Sequence, residues 1–91
     1  MIAYDLKIWP DHFEAVTSPD PLKRKTVEIR QEDDKTYSAG DVLRLQEWNP
    51  EEWKYTGRSA VVVVTHILRG SPYLPEGFAA LSIRWIQGRG C

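Results

Sequence analysis

The sequence predicts a small, mainly β protein (an α+β chain) that folds as one five-stranded, partly open barrel with a single short helix near its start. Three segments alternate between apolar and polar residues as strands do, and a fourth is a continuous apolar run typical of a covered strand. A fifth strand follows the last turn-rich loop, and a proline-led stretch after the first strand is the candidate helix. The 91 residues suffice for one hydrophobic core and are too few for two, so residues 1–91 form one domain. Five strands are the number typical of small barrels, which protect their edges by curling.

The first two elements are a strand and a helix. Residues 3–8 alternate apolar and charged side chains, which predicts a half-buried strand. Pro10 suits the first turn of a helix over residues 11–16, because a proline there loses no intrahelical hydrogen bond. Pro19 and Pro21 then end the helix.

Two further strands follow. Residues 25–30 alternate with Val27 and Ile29 on one face, which we expect to point into the core. The opposite face of this strand carries Thr26, Glu28 and Arg30. After a polar loop and a glycine turn, residues 42–48 predict a third strand.

The last two strands are separated by a loop rich in turn residues. The fourth, over residues 59–67, contains four consecutive valines, which is typical of a strand covered on both faces. We therefore expect a central strand with Val63 in the core. The fifth covers residues 78–86, and the tail at 87–91 is expected to fray.

Charge, cysteine and histidine content narrow the functional classes. The net charge is −1, so the composition alone does not indicate a nucleic-acid binder. Cys91 is the only cysteine, and there is no leader-like or membrane-spanning run of apolar residues, so we expect a cytoplasmic protein. His12 and His66 lack partners at metal-ligand spacing, and no glycine-rich phosphate or dinucleotide motif is present, so we predict no metal and no cofactor.

Several segments match one known family in the right order. They are DLKI at 5–8, KTVEIR at 25–30, AGDVL at 39–43, GF at 77–78 and LSI at 81–83. Together they resemble the ASCH domain family of the PUA-like superfamily, and most closely its branch of very small bacterial and phage proteins.

The family's signature is a glycine, a lysine two residues later, and a glutamate and an arginine on the same strand. Lys25, Glu28 and Arg30 match it, whereas Lys23 replaces the glycine after an enlarged loop at 17–22. The resemblance implies a PUA-like barrel with a surface cleft lined by these residues, in which RNA or another nucleic acid binds. Some similar small proteins are enzymes that remove an acyl group from a modified cytidine.

The candidate cleft residues combine cations with one carboxylate. Glu28 and Arg30 are two positions apart on a strand, so they share a face about 7 Å apart, and Thr26 lies on that face. Lys25 can turn to either face, and Lys7 adds a cation if the first two strands are neighbours. Such a set can hold a phosphate while the carboxylate accepts from a base amino group. The alternative is an ordinary salt-bridge network on a solvated face.

Four tryptophans in so short a chain suggest stacking surfaces for bases. Trp53 and Tyr55 lie in the predicted hairpin connection and are the candidates for an exposed platform. Trp48 and Trp85 lie at strand ends, where we expect them to seal the barrel.

Three functional hypotheses follow. The first is a monomeric module that binds RNA, single-stranded nucleic acid or a modified nucleoside and does not bind membranes. The second is a small amidohydrolase acting on acylated cytidine, in which Lys25, Glu28 and Glu76 would be catalytic. In the acyl-removing relatives, a threonine stands at the position of Glu28 and a later glutamate completes the site. The third is a protein-binding bacterial or phage adaptor or inhibitor.

Overall fold

The computed structural model describes residues 2–88, which form one curled sheet and one short helix. The elements are β1 (Ala3–Ile8), α1 (Pro10–Val16), β2 (Val27–Gln31), β3 (Val42–Asn49), β4 (Lys54–Arg69) and β5 (Phe78–Gln87). The predicted class, mainly β with five strands and one early helix, is confirmed, and the sheet has the shape of a half-barrel. The helix α1 is too short and too polar to cross a bilayer.

The strand order β1-β3-β4-β5-β2 places β1 and β2 at the two edges of the sheet. β1 runs parallel to β3, and the remaining neighbours are antiparallel. Within residues 2–88, no strand pairs with the outer edge of either β1 or β2. One hydrogen bond joins the two edges: Nη2 of Arg30, in β2, donates to the backbone oxygen of Lys7, in β1, at 3.0 Å. The half-barrel is therefore open along a gap between β1 and β2.

The hydrophobic core lies on the inner face of the sheet and is partly covered by α1, whose Phe13 and Val16 are fully buried. Alternate residues of each strand point inward, as the pleat requires. The buried apolar side chains contributed by the strands are Leu6, Ile8, Leu43, Leu45, Ala60, Val62, Val64, Ala79, Leu81 and Ile83.

The valine strand is central, as predicted, but only one of its faces is well covered. Val62 and Val64 are buried, whereas Val61 and Val63 are half-buried. The expectation that Val63 lies in the core is therefore wrong, and Val62 has that position. β4 also begins earlier than predicted, at Lys54, because Trp53 N donates to Asn49 O at 2.8 Å and closes a short turn.

The orientation of β2 is opposite to the expectation. Val27 and Ile29 are 41% and 57% exposed, whereas Glu28 is 4% exposed. An inward carboxylate is tolerated because two cations pair with it, so alternation alone assigned the faces wrongly. The strand also begins at Val27 rather than at residue 25, since Lys25 N bonds to Ala15 O in the preceding segment.

The last strand reaches Gln87, one residue beyond the predicted end of the fifth strand. Gln87 is still paired with Val61, and Trp85 Nε1 donates to the carbonyl of Gly88 at 2.9 Å. The rest of the predicted frayed tail, residues 89–91, lies outside the described residues.

Candidate functional site

A buried carboxylate held between two cations forms the centre of the site. Glu28 Oε1 lies 2.6 Å from Lys25 Nζ, and Glu28 Oε2 lies 3.1 Å from Arg30 Nη2. The two cationic side chains remain 25% and 23% exposed, whereas only 5% of the Glu28 side chain is exposed, and that part borders the cleft. The predicted grouping of these three residues is observed, and its carboxylate is an inward group instead of a solvated surface acid.

Lys25 is placed by the segment that follows α1. Its backbone N–H donates to Ala15 O at 2.8 Å, which fixes the chain just before β2. Its Nζ also lies 3.2 Å from Nδ1 of His12, which is in the first turn of α1. An ammonium group has three N–H donors, so these two partners leave one donor of Lys25 for a ligand.

Arg30 spans the gap between the two edge strands. Its Nη2 donates both to Glu28 Oε2 and to Lys7 O, at 3.1 and 3.0 Å. Its Nε is buried and has no hydrogen-bond partner among residues 2–88. A buried donor without a partner is costly, so the guanidinium is not fully satisfied by the described residues, and 23% of the Arg30 side chain is exposed at the cleft.

These residues line a cleft of about 620 Å³ along the gap. The cleft contains three cationic residues and one carboxylate, so its charge favours an anion. Its rim is apolar, because Trp9, Val27 and Ile29 are all partly exposed there. The complete lining is Lys7, Ile8, Trp9, His12, Lys25, Val27, Glu28, Ile29 and Arg30. A volume of this size lies within the range of small-ligand sites in proteins.

Trp53 and Tyr55, the candidates for an aromatic platform, are both exposed and lie near Lys7. Trp53 and Tyr55 both contact Trp48 edge-on, with ring centroids 5.6 and 5.0 Å away. Lys7 Nζ lies 4.0 Å from the centre of the Trp48 ring, a cation–π contact. Trp53 remains 77% exposed and has a φ of 60°, which is uncommon for a bulky residue. Lys7 therefore belongs to both the cleft and this aromatic group.

Other predicted residues lie elsewhere. Thr26 is exposed and does not line the cleft, although its carbonyl accepts from Ile83 N. Glu76 lines a separate depression with Glu32 and Arg69, beyond the other end of β2. Trp85 packs against the core, as expected of a residue that seals the barrel.

Trp9 and His12 are cleft residues that the sequence reasoning did not assign. Trp9 directly follows β1 and precedes α1, and His12 is three positions further along. The available signal was Pro10, because a helix that starts there presents its first turn beside the end of β1. Periodicity gave no indication that this turn faces β2.

A second ion network holds α1 against the sheet. Arg58 Nη2 donates to Glu47 Oε2 at 2.7 Å and to Glu14 Oε1 at 2.8 Å, and Thr56 Oγ1 donates to Glu47 Oε1 at 2.6 Å. The hydrogen bond to Glu47 is the main cause of the raised pKa of Arg58, so this guanidinium stays charged. The network fixes the helix that carries His12.

Comparison with known proteins identifies a family without an assigned activity. The sequence model of the family described as "Domain of unknown function (DUF3850)" matches residues 3–83, a span that includes every cleft residue. The search of curated proteins found no match. Since the matched span is most of the 91 residues, this chain belongs to the DUF3850 domain family.

Proposed function

We propose that the protein binds nucleic acid, as RNA, another single strand or a modified nucleotide, in the cleft between β1 and β2. One observation carries this proposal: the buried Glu28 carboxylate is flanked by Lys25 and Arg30, and an exposed Trp9 stands at the same cleft. Cations for phosphate, an acceptor for a base and an aromatic face together are what a nucleotide requires.

The phosphate would be held by the donors that the protein leaves unused. Lys25 has one N–H beyond its contacts with Glu28 and His12, and the charged Arg30 side chain is 23% exposed at the cleft. Both cations are held by Glu28 in fixed positions, so little side-chain entropy is lost when an anion binds. Lys7 adds a third positive charge at the cleft.

The base would occupy the apolar part of the cleft. Trp9 is 57% exposed and offers a ring face for stacking. Glu28 is an acceptor-only group when ionised, and a carboxylate has lone pairs beyond those used by two partners. It can therefore accept from the exocyclic amino group of a base.

Binding to short single-stranded RNA and DNA, followed by fluorescence anisotropy, tests the proposal. The variant is Glu28→Gln/Arg30→Gln, which removes the buried carboxylate and one of its two cations together, while the remaining cation, Lys25, is 25% exposed to solvent. The control is Arg44→Gln, because Arg44 pairs with Asp5 in an exposed ion pair and does not line the cleft. We expect at least tenfold weaker binding for the double variant and unchanged binding for the control. Equal affinities for all three proteins would refute the proposal.

Removal of an acyl group from modified cytidine is a second candidate, and one contact favours it. Lys25 Nζ lies within hydrogen-bonding distance of both His12 Nδ1 and Glu28 Oε1, an arrangement through which a proton can move. Glu76 lies in the separate depression, so it supplies no second acid at the cleft. Release of acetate from N4-acetylcytidine by the parent protein, and its loss in Lys25→Gln, would support this candidate.

A further inference from the structure

Successive residues of β2 direct their backbone N–H and C=O groups to opposite edges of the strand. One edge pairs with β5, and the other has no partner strand within residues 2–88. The bonds Ile83 N to Thr26 O and Glu32 N to Gly77 O lie at the two ends of the β2–β5 pairing. In an antiparallel ladder the hydrogen-bonded pairs alternate, so the even-numbered residues of β2 bond to β5. The N–H and C=O groups of Val27 and Ile29 therefore point to the open edge, where the described chain has no further strand.

This open edge is a wall of the cleft. Val27 and Ile29 both line it, and across the gap stands the edge of β1. The carbonyl of Lys7 faces the same gap, since Arg30 Nη2 reaches it at 3.0 Å. The Arg30 guanidinium thus bridges the two edges at this point.

We propose that the open edge of β2 reads a nucleobase, with the N–H and C=O of Ile29 bonding to its pairing edge while Trp9 stacks on its face. This inference rests on the proposed nucleic-acid function and specifies how the cleft selects its ligand. An extended residue presents one donor beside one acceptor, which matches the ring nitrogen and exocyclic amino group of adenine or cytosine. A uracil held in the position of cytosine presents the reverse pair, a ring N–H and a carbonyl oxygen, so it places a donor against the Ile29 N–H and an acceptor against the Ile29 C=O. The selected ligands are therefore adenine and cytosine, read mainly by the main chain.

Proline at position 29 tests the backbone contact directly. The N–H of Ile29 is not needed for the hydrogen bonds between β2 and β5. Proline is tolerated in an edge strand when its nitrogen faces away from the sheet. Ile29→Ala is the matched control, because it shortens the side chain and keeps the N–H. A chain with a backbone ester in place of the Ile29 amide removes the same N–H without restricting φ, and it replaces the proline variant if that variant unfolds.

The ligands are AMP, CMP, UMP, AMP methylated at the ring nitrogen of the pairing edge, and short oligonucleotides of each base. The parent should bind AMP or CMP at least tenfold more tightly than UMP, and ring methylation should abolish this preference. Ile29→Pro or the ester should lose at least fivefold of the preference with an unchanged Kd for UMP. Ile29→Ala shortens a side chain at the cleft rim, so it should weaken AMP, CMP and UMP by the same factor and retain the preference. In amide NMR spectra of the parent, the Ile29 signal should shift more than the Glu28 signal when AMP binds.

The results separate this inference from the function on which it rests. If the parent binds none of the nucleotides or oligonucleotides, the proposed function fails and the base-reading mechanism fails with it. If the parent binds them without base preference, or if the preference survives loss of the Ile29 N–H, only the mechanism is overturned. Preference in the oligonucleotides but not in the mononucleotides supports a base read within a strand, and preference in both supports reading of the free nucleotide as well.

Discussion

Glu28 Oε1 lies 2.6 Å from Lys25 Nζ, three positions earlier in the chain, and the Glu28 residue is only 4% exposed. A carboxylate is seldom buried unless it is paired, and here Arg30 supplies a second partner. Removal of one partner alone would leave an uncompensated charge, so informative variants must change the acid together with its cation or keep the shape of the acid.

Glu28→Gln distinguishes the two leading functional hypotheses. In a binding module, this change keeps the shape and one acceptor, so phosphate affinity should stay equal or tighten while base preference relaxes by about 1–3 kcal/mol. In a hydrolase that uses Glu28 for proton transfer, turnover should fall about a hundredfold with little effect on binding. Oligonucleotide binding and hydrolysis of acylated cytidine are measured for both proteins. If neither quantity changes, Glu28 has no part in the site.

The affinity for single-stranded nucleic acid should decrease steeply with salt. Each phosphate contact on a single strand contributes about −0.7 to the log–log slope, so Lys7, Lys25 and Arg30 together predict a slope of about −2. Relative to Glu28→Gln, the Glu28→Gln/Arg30→Gln protein should show a slope smaller by about 0.7. Affinities measured over a series of salt concentrations provide the slopes. A salt-independent interaction would indicate a protein partner or a neutral nucleoside.

Trp53→Ala should weaken binding to long single strands and leave mononucleotide binding unchanged. The Trp53 ring is 77% exposed and contacts Trp48, whose ring in turn contacts the cleft residue Lys7. Stacking of a base on an aromatic ring contributes about 1–3 kcal/mol. Tyr73→Ala is the control, since Tyr73 is also 77% exposed but lies in the loop between β4 and β5. Titrations with oligonucleotides of increasing length measure the effect. An unchanged length dependence in Trp53→Ala would exclude this ring as a platform.

Val62→Asp should unfold the domain, whereas Val63→Asp should have a milder effect. Val62 is fully buried in the central strand and Val63 is half-buried on the other face. An unpaired charge in the core costs several kcal/mol, comparable to the whole stability of a small domain. Thermal unfolding followed by circular dichroism shows which of the two variants is the less stable. Greater damage from Val63→Asp would contradict the assigned faces of β4.

Glu32 should make the protein less stable in acid. Arg69 donates to both oxygens of Glu32, at 2.8 and 3.1 Å, and these hydrogen bonds lower the pKa of Glu32 below its ordinary value of 4.5. The unfolded state therefore binds the proton more readily, so the stabilisation is complete above about pH 4.5 and is lost as the pH falls through the folded pKa.

Glu32→Gln should accordingly lower the free energy of unfolding at neutral pH and reduce its decline in acid. Urea unfolding at pH values from 7 to below 4.5 checks both effects. Asp34→Asn is the control, because the Asp34 carboxylate is 75% exposed and has only a long contact with Lys35. If Glu32→Gln and the parent lose stability in parallel below pH 4.5, the ion pair with Arg69 does not stabilise the fold.

Much of the fold could be predicted from local sequence. Alternation placed the first strand at residues 3–8, where the structure has it, and Pro10 placed the start of α1 to within one residue. The valine run indicated the central strand. These features depend on residues close together in the chain, so periodicity and turn chemistry suffice to predict them.

Local sequence was enough to predict five strands, the early helix and the grouping of Lys25, Glu28 and Arg30 on one short stretch, although β2 and β4 begin elsewhere than predicted. The inward direction of Glu28, the half-buried position of Val63, and the presence of Trp9 and His12 at the cleft follow from contacts between distant parts of the chain. Alternation defines two faces of a strand but does not say which one is covered, because the covering groups come from distant parts of the chain. The cleft exists because β1 and β2 become opposite edges of one curled sheet, and that relationship is set by the pairing of every strand between them.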